Sequence, residues 1–394
     1  MYRFSKRVTD VPNSGIGYMM RYASKYKDTV SLGQGTPLFP TPQFIYDALH
    51  KRSKTEPEIG MYSDTKVAVE NDLITLIAKQ MEEDYGFRPE PTQIYLTVGA
   101  IGALFSSLMA LVDHGDEVIY FDPSYPLHLS QIHLTQGTPV FVSYQEEDGW
   151  SVNLAKLRKS ITAKTRVIIL TNPNNPTGTV LTEDEVRELA ETIVKHDLIL
   201  ILDEAYYFLT YGKKIFSPLR LPELRSRVVL CRSFSKEFAM TGWRIGYAYA
   251  APEIIDKIRS VHIYFSVCPP TPSIIAATAA LSDPRGKAAM EGFKKKFVES
   301  RRAICDRLDR LPKLFSYHPP DGAYYAFPKY LGFDMPAMEF AKLLVDEARV
   351  ITIAGGSMGP SGAGHVRMSF AADAGIIHAA FDRLDAFAKK HNLF

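Results

Sequence analysis

Short apolar runs alternate with polar, helically periodic segments through the middle of the chain. Glu117–Pro123 (EVIYFDP) is a β-branched and aromatic run that stops at a turn signal. Arg166–Pro173 (RVIILTNP), Leu198–Tyr207 (LILILDEAYY) and Arg227–Ser233 (RVVLCRS) repeat the pattern. Continuous rather than alternating apolarity predicts strands buried on both faces, as in a parallel sheet. Between the second and third runs, Thr182 and Glu185 form a capping box. Val186, Leu189, Ala190, Ile193 and Val194 follow at helical spacing. Strand, helix and strand at this spacing make a βαβ unit, so the core is α/β with a mostly parallel central sheet flanked by helices.

The texture changes near residue 280. A long amphipathic helix is predicted there, with Phe293, Phe297, Ile304, Leu308 and Leu311 on one face. Two short strands (GAYYAFP and HVRMSFA) follow, with helices around Ala337–Ala348 and Ile376–Lys390. This reads as a smaller α+β domain. The expected division is a large α/β domain over residues 46–280, with residues 1–45 and 281–394 forming the small one. The first 45 residues carry little periodicity and a Gly/Pro-rich loop, LGQGTPLFPTP.

Composition narrows the setting. A chain of 394 residues defaults to two domains, and 46% hydrophobic with 23% charged residues is ordinary for a globular protein. A net charge of +2 offers no field for nucleic acid. Cys231, Cys268 and Cys305 form neither C-x-x-C nor a ligand cluster, which favours a reduced compartment. No apolar run approaches a membrane span and the N-terminus lacks a signal-like region, so a cytoplasmic protein without membrane contact is expected. The ten histidines show no H-E-x-x-H spacing, so no metal site is expected.

Ligands of open α/β sheets sit beyond the carboxyl ends of the strands, and four polar clusters fall there. Tyr125 follows the first run, Asn175 the second, Asp203 and Tyr206 the third, and Ser233, Ser235 and Lys236 the fourth. Burial and nearby positive charge would lower the pKa of a lysine placed there, letting its nitrogen react with a carbonyl. Pyridoxal phosphate is the common partner of such a lysine. It needs a buried carboxylate for its ring nitrogen, as Asp203 offers. It also needs a phosphate site, for which Ser233, Ser235, Arg244 and the small-residue turn TVGAIGAL are suited.

TVGAIGAL, NPNNPTG, DEAYY, SFSKEFAMTGWRIGY, DGAYYAFP and GHVRMSFA resemble, in order, the motifs of the class I/II aminotransferases, which are fold-type I pyridoxal-phosphate enzymes. The resemblance spans about Gly33 to Phe370. It implies pyridoxal 5′-phosphate as cofactor, with Lys236 as the Schiff-base lysine and Asp203 as partner of the pyridine nitrogen. Asn175 and Tyr206 match the donors to the ring's phenolic oxygen, and Tyr125 the stacking aromatic. Ser233, Ser235 and Arg244 match the phosphate ligands, with Gly99, Ala100 and Ile101 as the backbone phosphate turn. Tyr62 matches the tyrosine lent to the neighbouring subunit's phosphate. Arg367 matches the clamp on the substrate α-carboxylate, with Gly35 beside it. A homodimer with interfacial active sites is implied, as is amino transfer between an L-α-amino acid and a 2-oxo acid. The alternative is another reaction on the same scaffold: a β-lyase, a cyclising synthase or an amino-acid oxidase. Three departures fall on surfaces expected to face the substrate, while the cofactor residues are intact. Thr36 replaces an acid, TKVAVENDLIT follows Tyr62 in place of the usual glycine and Leu-Arg pair, and AGGSMG (354–359) puts Met358 at an aromatic position. A cofactor-binding DNA regulator is disfavoured by the neutral charge, and a nicotinamide dehydrogenase by the lack of G-x-G-x-x-G.

Overall fold

A computed structural model describes residues 2–9, 11, 14–63 and 67–394. A seven-stranded sheet organises the chain: β1 (Ile94–Thr97), β2 (Glu117–Asp122), β3 (Thr138–Ser143), β4 (Thr165–Thr171), β5 (Ile199–Asp203), β6 (Val228–Ser233) and β7 (Gly246–Tyr249). Their spatial order is β1-β7-β6-β5-β4-β2-β3. β7 alone runs opposite to the other six strands. The four apolar runs are β2, β4, β5 and β6, four consecutive positions of the sheet. Alternate residues explain their unbroken apolarity. Leu200, Leu202, Val228 and Leu230 enter one core, while Ile201, Val229 and Cys231 enter the core on the opposite face.

β1, β3 and β7 were not anticipated. β1 and β7 have four residues each, and β3 is a half-buried edge strand containing Pro139. The capping box on the helix Glu183–Lys195 is formed as expected.

From β2 the chain steps outward to β3, then returns past β2 to β4 and proceeds the other way through β5 and β6. The reversal opens a crevice at the carboxyl ends of β2 and β4. The C-terminal part closes over that side. Val366–Ser369 pairs antiparallel with both Tyr325–Ala326 and Ile353–Ala354. The helix Pro284–Leu308, capped by Asp283, buries Phe293, Phe297, Ile304 and Leu308. Leu311 lies beyond its end and is buried too.

The N-terminal segment contributes more than its weak pattern announces. Val30–Ser31 pairs in parallel with Val350–Ile351. A helix, Gly15–Ala23, is capped by Ser14 and buries Gly15, Met19 and Ala23. Two of those three have little or no side chain and the helix is only nine residues long, so its buried face was passed over in the sequence.

Candidate active site

The polar clusters at the ends of β2, β4, β5 and β6 meet in a cavity of about 380 Å³. Each strand delivers its group by a local device. β2 runs into Tyr125, the N-cap position of the helix Pro126–Leu134. β4 runs into the loop that carries Asn175, and Asp203 closes β5, its Oδ1 accepting the Ala205 N–H at 3.0 Å. β6 ends at Ser233, which caps the one-turn helix Phe234–Glu237 bearing Lys236.

The phosphate-side residues cluster at one end. Ser233 donates to Ser235 Oγ at 2.8 Å, and Arg244 Nη1 donates to the Thr241 carbonyl at 2.8 Å. Ala100 and Ile101 line the cavity, in the first turn of the helix Gly99–Leu111. The first amides of a helix have no acceptor within it and draw anions. Gly99 opens that turn at φ 67°, and a Cβ there would stand 2.7 Å from the Arg244 guanidinium. Glycine is thus favoured by backbone conformation, and any side chain here would push the Arg244 guanidinium aside.

Lys236 Nζ donates to the Gly35 carbonyl at 2.6 Å. Burial, then the positive charges of Arg367 and Arg244, depress its pKa to about 8, with Asp203 pulling the other way. Asp203 is buried, and its Oδ2 lies 3.0 Å from Nε2 of the fully buried His128. Tyr206 and Tyr325 share a hydroxyl–hydroxyl bond of 2.8 Å. Burial pushes the Tyr125 hydroxyl up to about 12, so it stays a neutral aromatic.

Arg367 is buried and forms no ion pair among the described residues. It donates to Asn175 Oδ1 at 3.1 Å and to the Gly33 carbonyl at 2.7 Å, and stands over the Tyr325 ring at 4.5 Å. Its Nε–H is buried without an acceptor among the described residues.

One expectation meets a different outcome. The loop 354–359 does not line the cavity: Met358 is fully buried, and its carbonyl accepts the Tyr120 hydroxyl at 3.1 Å and the Ser124 N–H at 3.0 Å. The core, not the substrate side, claims that methionine. The cavity wall there comes from Ile16 and Met20 of the N-terminal helix, together with Thr36. Tyr62 is exposed and stands outside this chain's cavity, and Thr65 and Lys66 fall outside the described residues.

Sequence reasoning missed His128, Tyr325, Ile16 and Met20. Tyr325 lay within the quoted motif DGAYYAFP, and His128 stands one helical turn after Tyr125 in SYPLHL. Glu204, next to Asp203, points away from the cavity. It is buried, accepts the Tyr85 hydroxyl at 2.6 Å, and is raised to about 7 by burial.

A mostly parallel sheet delivering a lysine, a buried carboxylate and two arginines to one crevice is the framework of an α/β enzyme. The chain belongs to the class I and II aminotransferase family, whose model matches residues 27–384. It is 32% identical over 393 residues to an aromatic-amino-acid aminotransferase of Thermococcus litoralis, covering 99% of both chains. It is 33% identical over 398 residues to an aspartate aminotransferase of Pyrococcus abyssi, again covering 99% of both. Among solved structures, the aspartate aminotransferase of Thermus thermophilus with maleate superposes with a TM-score of 0.90 at 27% identity, over 98% of this chain and 100% of that one. An alanine aminotransferase of Pyrococcus furiosus gives 0.90 at 29%, with the same coverage.

Proposed function

We propose that the cavity binds pyridoxal 5′-phosphate and that this aminotransferase moves the amino group between an L-α-amino acid and a 2-oxo acid. The observation that carries the reading is Lys236, which lines the cavity with Arg367 and Arg244, donates to the Gly35 carbonyl at 2.6 Å, and has its pKa lowered to about 8. The residues present fit the cofactor. Asp203 offers a buried carboxylate for a protonated ring nitrogen. The first turn of Gly99–Leu111, with Ser233, Ser235 and Arg244, offers a phosphate cradle. Arg367 keeps a buried, unpartnered Nε–H for a carboxylate.

Bound there, the cofactor supplies an electron sink for the pair left on the substrate's Cα when its proton departs. The rest falls to the protein. Lys236 Nζ is partly neutral near physiological pH, so it can take the Cα proton and return it. Asp203, oriented by His128, holds a proton at the ring nitrogen. Asn175 and Tyr206 serve the ring's phenolic oxygen, and Tyr125 covers a ring face. Arg367 fixes the α-carboxylate through parallel N–H donors, beside Gly35.

The working form in this reading is a cytoplasmic homodimer in which Tyr62 serves the neighbouring subunit's phosphate site. Met61 and Tyr62 are exposed, as are Ile263, Tyr264, Phe265 and Val267. The Thr271 hydroxyl ties the two segments together through the Met61 carbonyl, at 2.6 Å. Such apolar exposure suits a subunit contact. Among the described residues no helix is long and apolar enough to cross a membrane.

The test loads the protein with pyridoxal phosphate, reduces it with borohydride and locates the added mass by peptide mass spectrometry. Label on Lys236, with amino transfer from some L-amino acid to 2-oxoglutarate or another 2-oxo acid, is expected. Label on a different lysine, or no amino transfer with any pair, would overturn the reading.

A further inference from the structure

The turn between β1 and the helix Gly99–Leu111 is held from a side that the cavity does not touch. We propose that His262 is a positioning residue for this turn, accepting the Val98 amide proton and so aiming the amides of Gly99, Ala100 and Ile101 at a phosphate. The proposal rests on the reading of this turn as the phosphate end of the cofactor site.

His262 belongs to the helix Pro252–Phe265 and is fully buried. The Val98 N–H donates to its Nε2 at 3.2 Å. A ring nitrogen that accepts carries no proton, so the ring is neutral and its proton sits on Nδ1, beside the Tyr95 hydroxyl at 3.5 Å. Burial supports this state by lowering the imidazole pKa to about 4. The edge of Tyr95 and the ring of Phe265, with centroids at 5.4 and 4.7 Å, leave the imidazole little room to swing.

The turn needs such a hold. Val98 stands between an extended strand and a left-handed glycine, so neither regular ladder supplies an acceptor for its N–H. A buried N–H without an acceptor is costly, and the peptide would rotate to find one. The Thr97 hydroxyl makes the complementary contact, donating to the Gly99 carbonyl at 3.0 Å. His262 fixes the entry to the turn and Thr97 its next carbonyl. Neither touches the ligand.

The experiment titrates cofactor-free protein with pyridoxal phosphate and, separately, with pyridoxal, following absorbance. His262→Leu removes the acceptor, while His262→Gln keeps an oxygen at the Nε2 position. Leucine should weaken binding of the phosphorylated ligand about tenfold or more. Glutamine should restore it to within about threefold of wild type, and pyridoxal binding should move in neither variant. Should the leucine variant fail to fold, His262→Asn serves in its place, since its amide stops short of Val98. Equal losses for both ligands would make His262 merely structural, and unchanged affinity for pyridoxal phosphate would make it irrelevant. Either outcome overturns the proposal. Wild-type protein that binds pyridoxal as tightly as its phosphate would remove the phosphate-turn reading as well.

Discussion

Arg367 could have been an ordinary structural arginine paired with an acid of its own neighbourhood. Its partners are instead a neutral amide oxygen and a backbone carbonyl, at 3.1 and 2.7 Å. Those two bonds hold the guanidinium without neutralising it, and further donors stay open. Lysine at this position would keep the charge and lose the planar fork. Arg367→Lys should therefore lower kcat/KM for L-amino acids by roughly 10²-fold. Binding of pyridoxal phosphate, followed by absorbance, should hardly change. A variant that loses the cofactor, or that loses equal activity toward amines without a carboxylate, would make Arg367 structural. Much of the site was readable at this scale. Lys236, Asp203, Asn175 and Arg367 are polar groups on or beside apolar strands, where polarity is conspicuous. His128 was not, because its meaning lies in a carboxylate 75 positions away in sequence. Ile16 and Met20 look like any apolar residues until the fold lays them over the cavity.

Elements differ in how plainly they announce themselves, and burial decides it. β2, β4, β5 and β6 lie inside the sheet with both faces covered, so their apolar runs are unbroken. β3 is half-exposed at an edge, and β1 and β7 are short, so their positions come from pairing, which the local pattern does not carry. The turn into Gly99–Leu111 was legible as a small-residue turn, but not the reason for its first glycine. Gly99 has φ 67° and faces Arg244, whereas Gly149 has φ 62° and open space around it. Alanine at either position meets the left-handed penalty of about 1–2 kcal/mol. Only at Gly99 does the methyl also displace a guanidinium. Both variants should lose a few degrees of Tm, about 2–4 °C per kcal/mol for a chain this large. Gly99→Ala alone should also weaken pyridoxal phosphate binding. Equal cofactor affinity in the two variants would mean that the Gly99–Arg244 approach carries no function.

At the scale of the whole molecule, the reactive lysine is a liability to folding that pH should expose. Free lysine titrates near 10.5, and Lys236 in the folded chain near 8. Below pH 8 the ammonium is charged in both the folded and unfolded states, and the folded state bears the full cost of enclosing it beside Arg367 and Arg244. Between about 8 and 10.5 the folded chain has released the proton while the unfolded chain keeps it. The unfolded state then binds more protons, so this contribution raises stability with pH. Above that window both states are neutral and the cost is gone. Lys236→Met removes the charge at similar length and so provides the reference, since other titrating groups, the many buried tyrosines included, largely cancel between the two proteins. Urea unfolding of both, stripped of cofactor, should show the methionine variant more stable at pH 7 by on the order of 3 kcal/mol. The gap should shrink steadily as pH rises through 9 toward 10.5. A gap that stays constant with pH would mean that Lys236 titrates as an ordinary surface lysine. Its nitrogen would then be almost wholly protonated at physiological pH, and the environment built around it would not prepare it for proton transfer.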